Sequence, residues 1–297
     1  MTDGFRCGHV AILGRPNVGK STLLNRIVGQ KLSITSSKPR TTRWHLIGIK
    51  TTAESQVIYV DTPGLQNSYY DGLNRHMRRE AINSMLYVDV IVFMVEALQW
   101  TEMDAQVLKM IGETKFPLLL VINKIDNIRN KSDLLPFIKR MYARRHFTQV
   151  LPVSARTGDN LDAFERTVLS LLPEAQAEFP EDQLTDRNER FFAAEFIREK
   201  LTRKMGKEIP YKISVTIDLF VLKGEVLHIH AIIWVANESQ KKIIIGSDGA
   251  VLKKAGEQAR KDMEAMFGHR VFLQTWVKTK KKWSEDIKAL QQLGYER

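Results

Sequence analysis

The run Gly14-Arg15-Pro16-Asn17-Val18-Gly19-Lys20-Ser21 has the spacing of a phosphate-binding loop. It stands between an apolar, β-branched run, His9–Leu13, and a helical pattern that opens near Thr22. Glycines let successive backbone N–H groups converge on an anion with no Cβ in the way, and a helix N-terminus behind them favours negative charge. In such a loop Lys20 reaches the β- and γ-phosphates of a nucleotide, Ser21 offers its hydroxyl to Mg²⁺, and Thr22 completes the run. A second set, Asp61-Thr62-Pro63-Gly64, closes the strand-like run Val57–Val60. A carboxylate there holds Mg²⁺ through water, and the Gly64 N–H can touch a γ-phosphate.

Two further sets read as the base-recognition side. Asn123-Lys124-Ile125-Asp126 ends the run Leu118–Ile122, and Ser154-Ala155-Arg156 ends Gln149–Val153. The Asp126 carboxylate can accept both N1–H and N2–H of guanine, whereas adenine presents no such donor pair. Hydrogen bonds to a charged group are worth roughly 1.5–3 kcal/mol each, enough for one residue to choose the purine. The Ala155 N–H is a donor for guanine O6. Taken singly, DTPG, NKID and SAR are ordinary loop chemistry. In this order, each at the carboxyl end of a strand, they mark where open α/β sheets bind ligands. Between the first two sets lies Lys31–Arg43, polar and Ser/Thr-rich, where Thr41 or Thr42 could ligate Mg²⁺ when a γ-phosphate is present.

These loops need a scaffold. From residue 9 to about 172 short β-branched runs alternate with helical patterns such as Leu161, Phe164, Val168 and Leu171. That order predicts a mostly parallel sheet covered by helices on both faces. Leu46–Lys50 and Val57–Tyr59 lie too close together for a crossover helix, so they should form a hairpin that adds one antiparallel edge strand. Pro173 to Asn188 is polar, carries two prolines and lacks periodicity, which predicts a linker. Beyond it the order becomes helix, strand, strand, helix, helix, strand. The first helical stripe is Ala194, Ile197, Leu201 and Met205. Strands follow at Lys212–Asp218 and Val226–Val235, helices at Gln240–Ile245 and Ala250–Phe267, and a strand at Val271–Lys278. The organisation expected is therefore 1–172, a linker over 173–188, and 189–297.

In the second half Gly246-Ser247-Asp248-Gly249 sits between two helical segments after the triplet Ile243-Ile244-Ile245. The set looks like a type II KH domain, whose GXXG turn brings two helix ends to a sugar–phosphate backbone. Alone, GXXG is an ordinary turn between helices. A carboxylate at Asp248 faces phosphate unfavourably; Lys241, Lys242, Lys253 and Lys254 offset it. The RNA-binding set expected is Gly246, Ser247, Gly249 and those four lysines. Lys278-Thr279-Lys280-Lys281-Lys282 adds either phosphate contacts or a solvated strand end. His228 and His230 share one side of a strand without further ligands in view, and Trp234 and Trp276 are expected in the core, as is the stripe Ala255, Ala259, Met263, Met266.

Composition agrees with a folded protein of about two domains: 297 residues, 43% hydrophobic and 27% charged. The formal net charge of +11 favours polyanionic partners, nucleic acid or an anionic membrane surface. It is shared, +6 before residue 180 and +5 after. The single cysteine, Cys7, excludes a disulfide framework and points to a reducing compartment. Met1 to His9 lacks the apolar core of a secretory signal. The longest apolar stretches fall far short of the roughly 18 residues that a spanning helix needs.

Together GRPNVGKS, PRTTR, DTPG, NKID, SAR and the C-terminal half resemble the Era-type GTPases, and the likeness spans essentially the whole chain. The resemblance implies an α/β P-loop GTPase domain followed by an α+β type II KH domain. It implies a GTP-hydrolysing switch that binds small-subunit ribosomal RNA near its 3′ end and assists 30S subunit assembly. The expected cofactor is Mg²⁺, held by Ser21, Asp61 and, in the family's pattern, Thr42 rather than Thr41. Many signalling GTPases carry Gln directly after the DTPG-like Gly; here Leu65 stands there and Gln66 follows. Catalysis is then assigned to Lys20, Asn17 and Gly64, with K⁺ at Asn17 supplying charge as in potassium-activated relatives, and turnover of order 10⁻² s⁻¹ or below. The expected protein is a cytoplasmic monomer that binds GTP and GDP. An RNA chaperone with incidental hydrolysis, and a GTPase peripheral to the inner face of the cell membrane, stand as the alternatives.

Overall fold

A computed structural model describes residues 4–35, 46–62, 88–205 and 213–280. The chain divides into two compact units; the second takes Arg187–Arg297 together with two earlier stretches, of which Ile34 and Thr35 are among the described residues. In the first unit β1 (Arg6–Leu13), β2 (Leu46–Thr51), β3 (Ser55–Asp61), β4 (Val90–Glu96), β5 (Leu118–Asn123) and β6 (Gln149–Pro152) form one sheet. Its order is β2-β3-β1-β4-β5-β6. The β2–β3 pair is antiparallel, whereas β1 runs parallel to both β3 and β4, so the expected hairpin forms the edge of an otherwise parallel sheet. Helices α1 (Lys20–Val28), α2 (Glu102–Ile111), α3 (Leu134–Arg144) and α4 (Leu161–Leu171) accompany it. Strands β3 and β5 are buried at every position, which is why their segments Val57–Val60 and Leu118–Ile122 read as apolar runs instead of alternating ones. Phe93, Phe137 and Phe147 anchor one core. Strand β1 starts at Arg6, three residues earlier than hydropathy suggests, because Arg6, Cys7 and Gly8 still pair with Ser55, Gln56 and Val57.

The stretch expected as a linker is bound to the first unit as far as Leu184. Cys7 N donates to Pro173 O at 3.2 Å, and Ile49 N to Leu184 O at 2.8 Å. Buried Gln56 accepts from the amides of Glu178 and Phe179 and donates to Phe179 O at 2.8 Å. Backbone groups near a protein surface must find partners somewhere, and an aperiodic polar segment can find them along a sheet. Such pairing leaves no periodic trace in the sequence.

The second unit contains α5 (Glu189–Lys204), β7 (Ser214–Lys223), β8 (Val226–Val235), α6 (Glu238–Ile245), α7 (Ala250–Phe267) and β9 (Arg270–Thr279). The sheet order is β7-β8-β9, with β7–β8 antiparallel and β8–β9 parallel. Alternate residues of β8 are buried throughout, as a sheet covered on one face requires. Ala255, Ala259 and Met263 of α7 are buried, and Met266 is half-buried. Trp276 corrects an expectation: it is 40% exposed, because its parity on β9 matches exposed Phe272 and not buried Val271. Trp234 is half-buried and its indole N–H donates to Thr216 Oγ1 at 2.9 Å. His228 packs on Phe272 and His230 on Trp276, and the described residues contain no cluster of metal-ligating side chains.

Candidate functional site

The phosphate loop joins β1 to α1. A Cβ on Gly14 would lie 2.6 Å from Met94 O, and one on Gly19, at φ 112°, would lie 2.2 Å from Asn123 Nδ2. Neither position admits a side chain. The Lys20 ammonium is buried and donates to the carbonyls of Gly14 and Arg15, each at 3.0 Å. Burial pushes its pKa down to about 8, against the opposing pull of the Asp61 carboxylate. Ser21 Oγ donates to Asp61 Oδ2 at 2.8 Å, and Ser33 Oγ reaches the same oxygen at 2.9 Å. Thr62 Oγ1 donates to Ile12 O at 2.8 Å, tying the end of β3 to β1. A hydroxyl and a fully buried carboxylate beside an ammonium form a hard oxygen donor set of the kind Mg²⁺ accepts. Pro16 and Val18 are buried, Asn17 is exposed at φ 64°, and Thr22 is half-buried in α1. Pro63, Gly64, Leu65, Gln66, Thr41 and Thr42 lie outside the described residues.

Arg15 turns its side chain away from the loop it belongs to. Its guanidinium pairs with Glu96 at 2.8 Å and with buried Asp104 at 3.3 Å. Glu96 also takes the Lys124 ammonium at 2.8 Å, so one carboxylate at the end of β4 links the phosphate loop to the base loop. Arg15 thus contributes its carbonyl to Lys20 and its side chain to this brace. Sequence reasoning missed Ser33, Glu96 and Asp104. Glu96 was findable, being a charged residue at the carboxyl end of a central strand.

Asn123 ties the base side to the phosphate side: its Nδ2 donates to Val18 O at 2.8 Å and its Oδ1 accepts from Ala155 N at 2.9 Å. The Ala155 amide, expected as a donor to guanine O6, donates to Asn123 Oδ1 in this structure. Asp126 is held by Ser154 Oγ at 2.6 Å and by Arg156 at 2.5 Å. The Ser154 hydrogen bond first, and Arg156 after it, hold its carboxyl below the usual carboxylate range, against burial. It is therefore an ionised acceptor at neutral pH.

In the second unit Ser247–Gly249 forms a single tight turn between α6 and α7. A Cβ on Gly246, at φ 75°, would meet Val251 Cγ2 at 2.5 Å, while one on Gly249 would meet nothing within 4 Å. Beside the turn runs a groove of about 470 Å³ lined by Asp248, Gly249, Leu252, Lys253, Gly256 and Leu273 among others. Lys253 lines it, and so does Arg260, which the sequence did not nominate. Lys241, Lys242 and Lys254 do not line it, and Lys241 pairs loosely with Glu238 at 3.8 Å. Gly256 makes the groove's floor low enough for a flat group, with Leu273 Cδ2 the nearest atom at 4.0 Å from where a Cβ would stand.

Residues 9–124 match the family described as 50S ribosome-binding GTPase, and residues 208–284 match the KH domain. The chain is 52% identical to GTPase Era of Pseudomonas aeruginosa over 292 residues, covering 98% of this chain and 96% of that protein. It is 51% identical to GTPase Era of Ectopseudomonas mendocina over 297 residues, covering 99% of each. Two solved structures superpose with TM-score 0.95 at 38% identity, covering 99% of this chain and 100% of theirs. They are a point variant of Aquifex aeolicus Era bound to GDP·AlF4⁻, and Era in complex with MgGDPNP and nucleotides 1506–1542 of 16S ribosomal RNA.

Proposed function

The chain belongs to the Era family of GTPases, and from that premise we propose that it is a guanine-nucleotide switch that binds small-subunit ribosomal RNA near its 3′ end and assists 30S assembly. The observation that carries this reading is the co-occurrence, on one chain, of the linked phosphate and base loops with a KH groove, in a fold shared with an Era bound to 16S rRNA.

The nucleotide is held from two ends. Asp126, ionised and aimed by Ser154, accepts the two N–H groups of guanine's Watson–Crick edge. Ala155 N–H serves guanine O6 by sharing its donor with Asn123. Lys20 exchanges its two loop carbonyls for phosphate oxygens, whose negative charge stabilises the ammonium that burial disfavours. Backbone amides of 14–22 complete the cradle. Mg²⁺ fits the Ser21–Asp61 oxygens, with Thr42 joining in the triphosphate state, and supplies charge neutralisation on the β- and γ-phosphates. With Leu65 where a water-orienting Gln often stands, hydrolysis rests on Lys20, the loop amides and the Gly64 amide, and turnover is slow. K⁺ beside exposed Asn17 would add the positive charge that an arginine finger gives elsewhere.

RNA takes the groove beside Gly246–Gly249, where Lys253 and Arg260 meet phosphates and the low floor at Gly256 takes a base. We assign residues 1–172 to GTP hydrolysis and 189–297 to RNA, in a cytoplasmic monomer. Among the described residues no helix is long and apolar enough to cross a membrane. Sedimentation with separated ribosomal subunits tests the reading. In a GTP analogue the protein should travel with 30S particles; travel with 50S particles, or with neither, would overturn it.

A further inference from the structure

Residues 128–146 contain six Lys or Arg against one Asp, a net +5, where the whole stretch before residue 180 carries only +6. Nothing in nucleotide binding uses this charge. Arg129, Lys131, Lys139, Arg140 and Arg144 are exposed, and Arg145 is half-buried. No carboxylate among the described residues pairs with any of the six. Two are instead held over rings: Arg140 over Phe137 at 5.6 Å, and Arg144 over Trp100 at 4.6 Å. A guanidinium stacked on an aromatic face is pre-oriented, so less side-chain freedom is lost when its N–H groups meet an anion. Arg144 and Arg145 line an open groove of about 1000 Å³ between α2 and α3, together with Lys109 and His146, and Glu113 is the one acid in its wall; Lys139 and Arg140 lie one turn back on α3. Exposed Tyr142 stands on the same helix.

We propose that this α3 face is a second polyanion-binding surface, on the GTPase unit itself, that takes the phosphate backbone of ribosomal RNA. The occupant follows from chemistry. Cations without carboxylate partners, two of them in the wall of an open groove and two a turn back on the same helix, match a spaced array of phosphates, whereas one bound metabolite would need a closed pocket. The inference rests on the RNA-binding reading above in so far as ribosomal RNA is the polyanion the protein meets. The bland alternative for Arg144 and Arg145 is that cations at a helix C-terminus interact well with its dipole. It does not account for Lys139 or Arg140, a turn earlier.

The test uses the full chain carrying Lys139→Glu, Arg140→Glu and Arg145→Glu, with the corresponding triple alanine variant as the milder partner. Unchanged GDP affinity shows that the GTPase unit is folded. Binding is measured to 16S rRNA, to a single-stranded oligonucleotide of its 3′ end, and to 30S particles, between 50 and 200 mM salt. The proposal expects affinity for 16S rRNA and for 30S particles to fall about 10- to 100-fold, and the salt slope to shrink by about two to three. Affinity for the short oligonucleotide stays within about twofold, because that ligand occupies only the KH groove. Unchanged affinity for 16S rRNA overturns the proposal. Loss on 30S particles with none on naked 16S rRNA also overturns it, and would assign the face to a protein. A Gly256→Leu variant separates this from the parent reading, since it should weaken the oligonucleotide and leave the α3 contribution to 16S rRNA intact.

Discussion

The two glycine-rich turns to which we assign nucleotide and RNA recognition are built on opposite plans. At the phosphate loop a Cβ on Gly19 would lie 2.2 Å from Asn123 Nδ2, and the same Asn123 holds Val18 and Ala155. At the GXXG turn Gly246 is closed by Val251 of α7, but a Cβ on Gly249, which lines the groove, would meet open space. The first site is over-determined: Asn123 is shared by its loop and its base motif, and Asp61 by the Ser21 and Ser33 hydroxyls, so that one change disturbs several contacts. The second is a surface groove, where affinity is a sum of separable contacts. A small ligand with a fixed charge pattern needs the first plan; a flexible polymer is met by the second.

The contrast can be broken most severely at Gly19. Replacing it with Ala introduces a Cβ at φ 112° against Asn123, and GDP affinity should drop more than roughly 100-fold in a fluorescent-nucleotide titration. A loss under tenfold would show a loop able to give way. Next in size is Asp126→Asn, which removes two charged acceptor contacts worth together about 3 kcal/mol or more, a GTP loss of at least about 100-fold. The amide N–H that it introduces suits the C2 carbonyl of xanthine, so competition with XTP should improve in the same variant.

A pH titration probes the same plan more gently. Below pH 8 Lys20 is an ammonium with or without nucleotide, and affinity is flat. Above about 8 the unliganded group has lost its proton and must regain it on binding, so GDP affinity should fall by up to about tenfold per pH unit until the bound-state pKa is reached. A flat profile to pH 9.5 would mean that Lys20 is charged throughout. In the groove, Gly256→Leu raises the floor under one base. RNA affinity should fall about tenfold, since stacking on one base is worth roughly 1–3 kcal/mol. GTP turnover without RNA should not change, and thermal stability should not drop, because Leu is the better helix former. Smallest is Gly249→Ala, where only a positive φ of 75° is strained: about 1 kcal/mol of stability, read by chemical denaturation, with a minor effect on RNA.

The same difference governs how much of the molecule the sequence disclosed. The phosphate loop, NKID and SAR were legible because buried, mutually bonded residues leave little freedom of type, and strands β5 and β8 and helix α7 were legible to the residue because their apolar pattern is unbroken. Glu96 and Ser33 escaped because they act through partners far away in sequence. Arg260 and Leu273 escaped because a groove is a relation between a helix and a strand that neither states alone. Trp276 was misplaced since one-sided sheets expose every second residue whatever its hydropathy. The stretch expected as a linker carries bonds that its composition did not announce: polar, proline-bearing chain can also lie along a sheet, held there by Gln56.

Whether the nucleotide commands the RNA site is the question on which the account turns. Equilibrium affinity for 16S rRNA nucleotides 1506–1542, measured with a GTP analogue and again with GDP, answers it. The switch predicts tighter RNA binding in the triphosphate state, by about 5- to 150-fold, the usual span of coupling between two sites. Equal dissociation constants in the two states would contradict it.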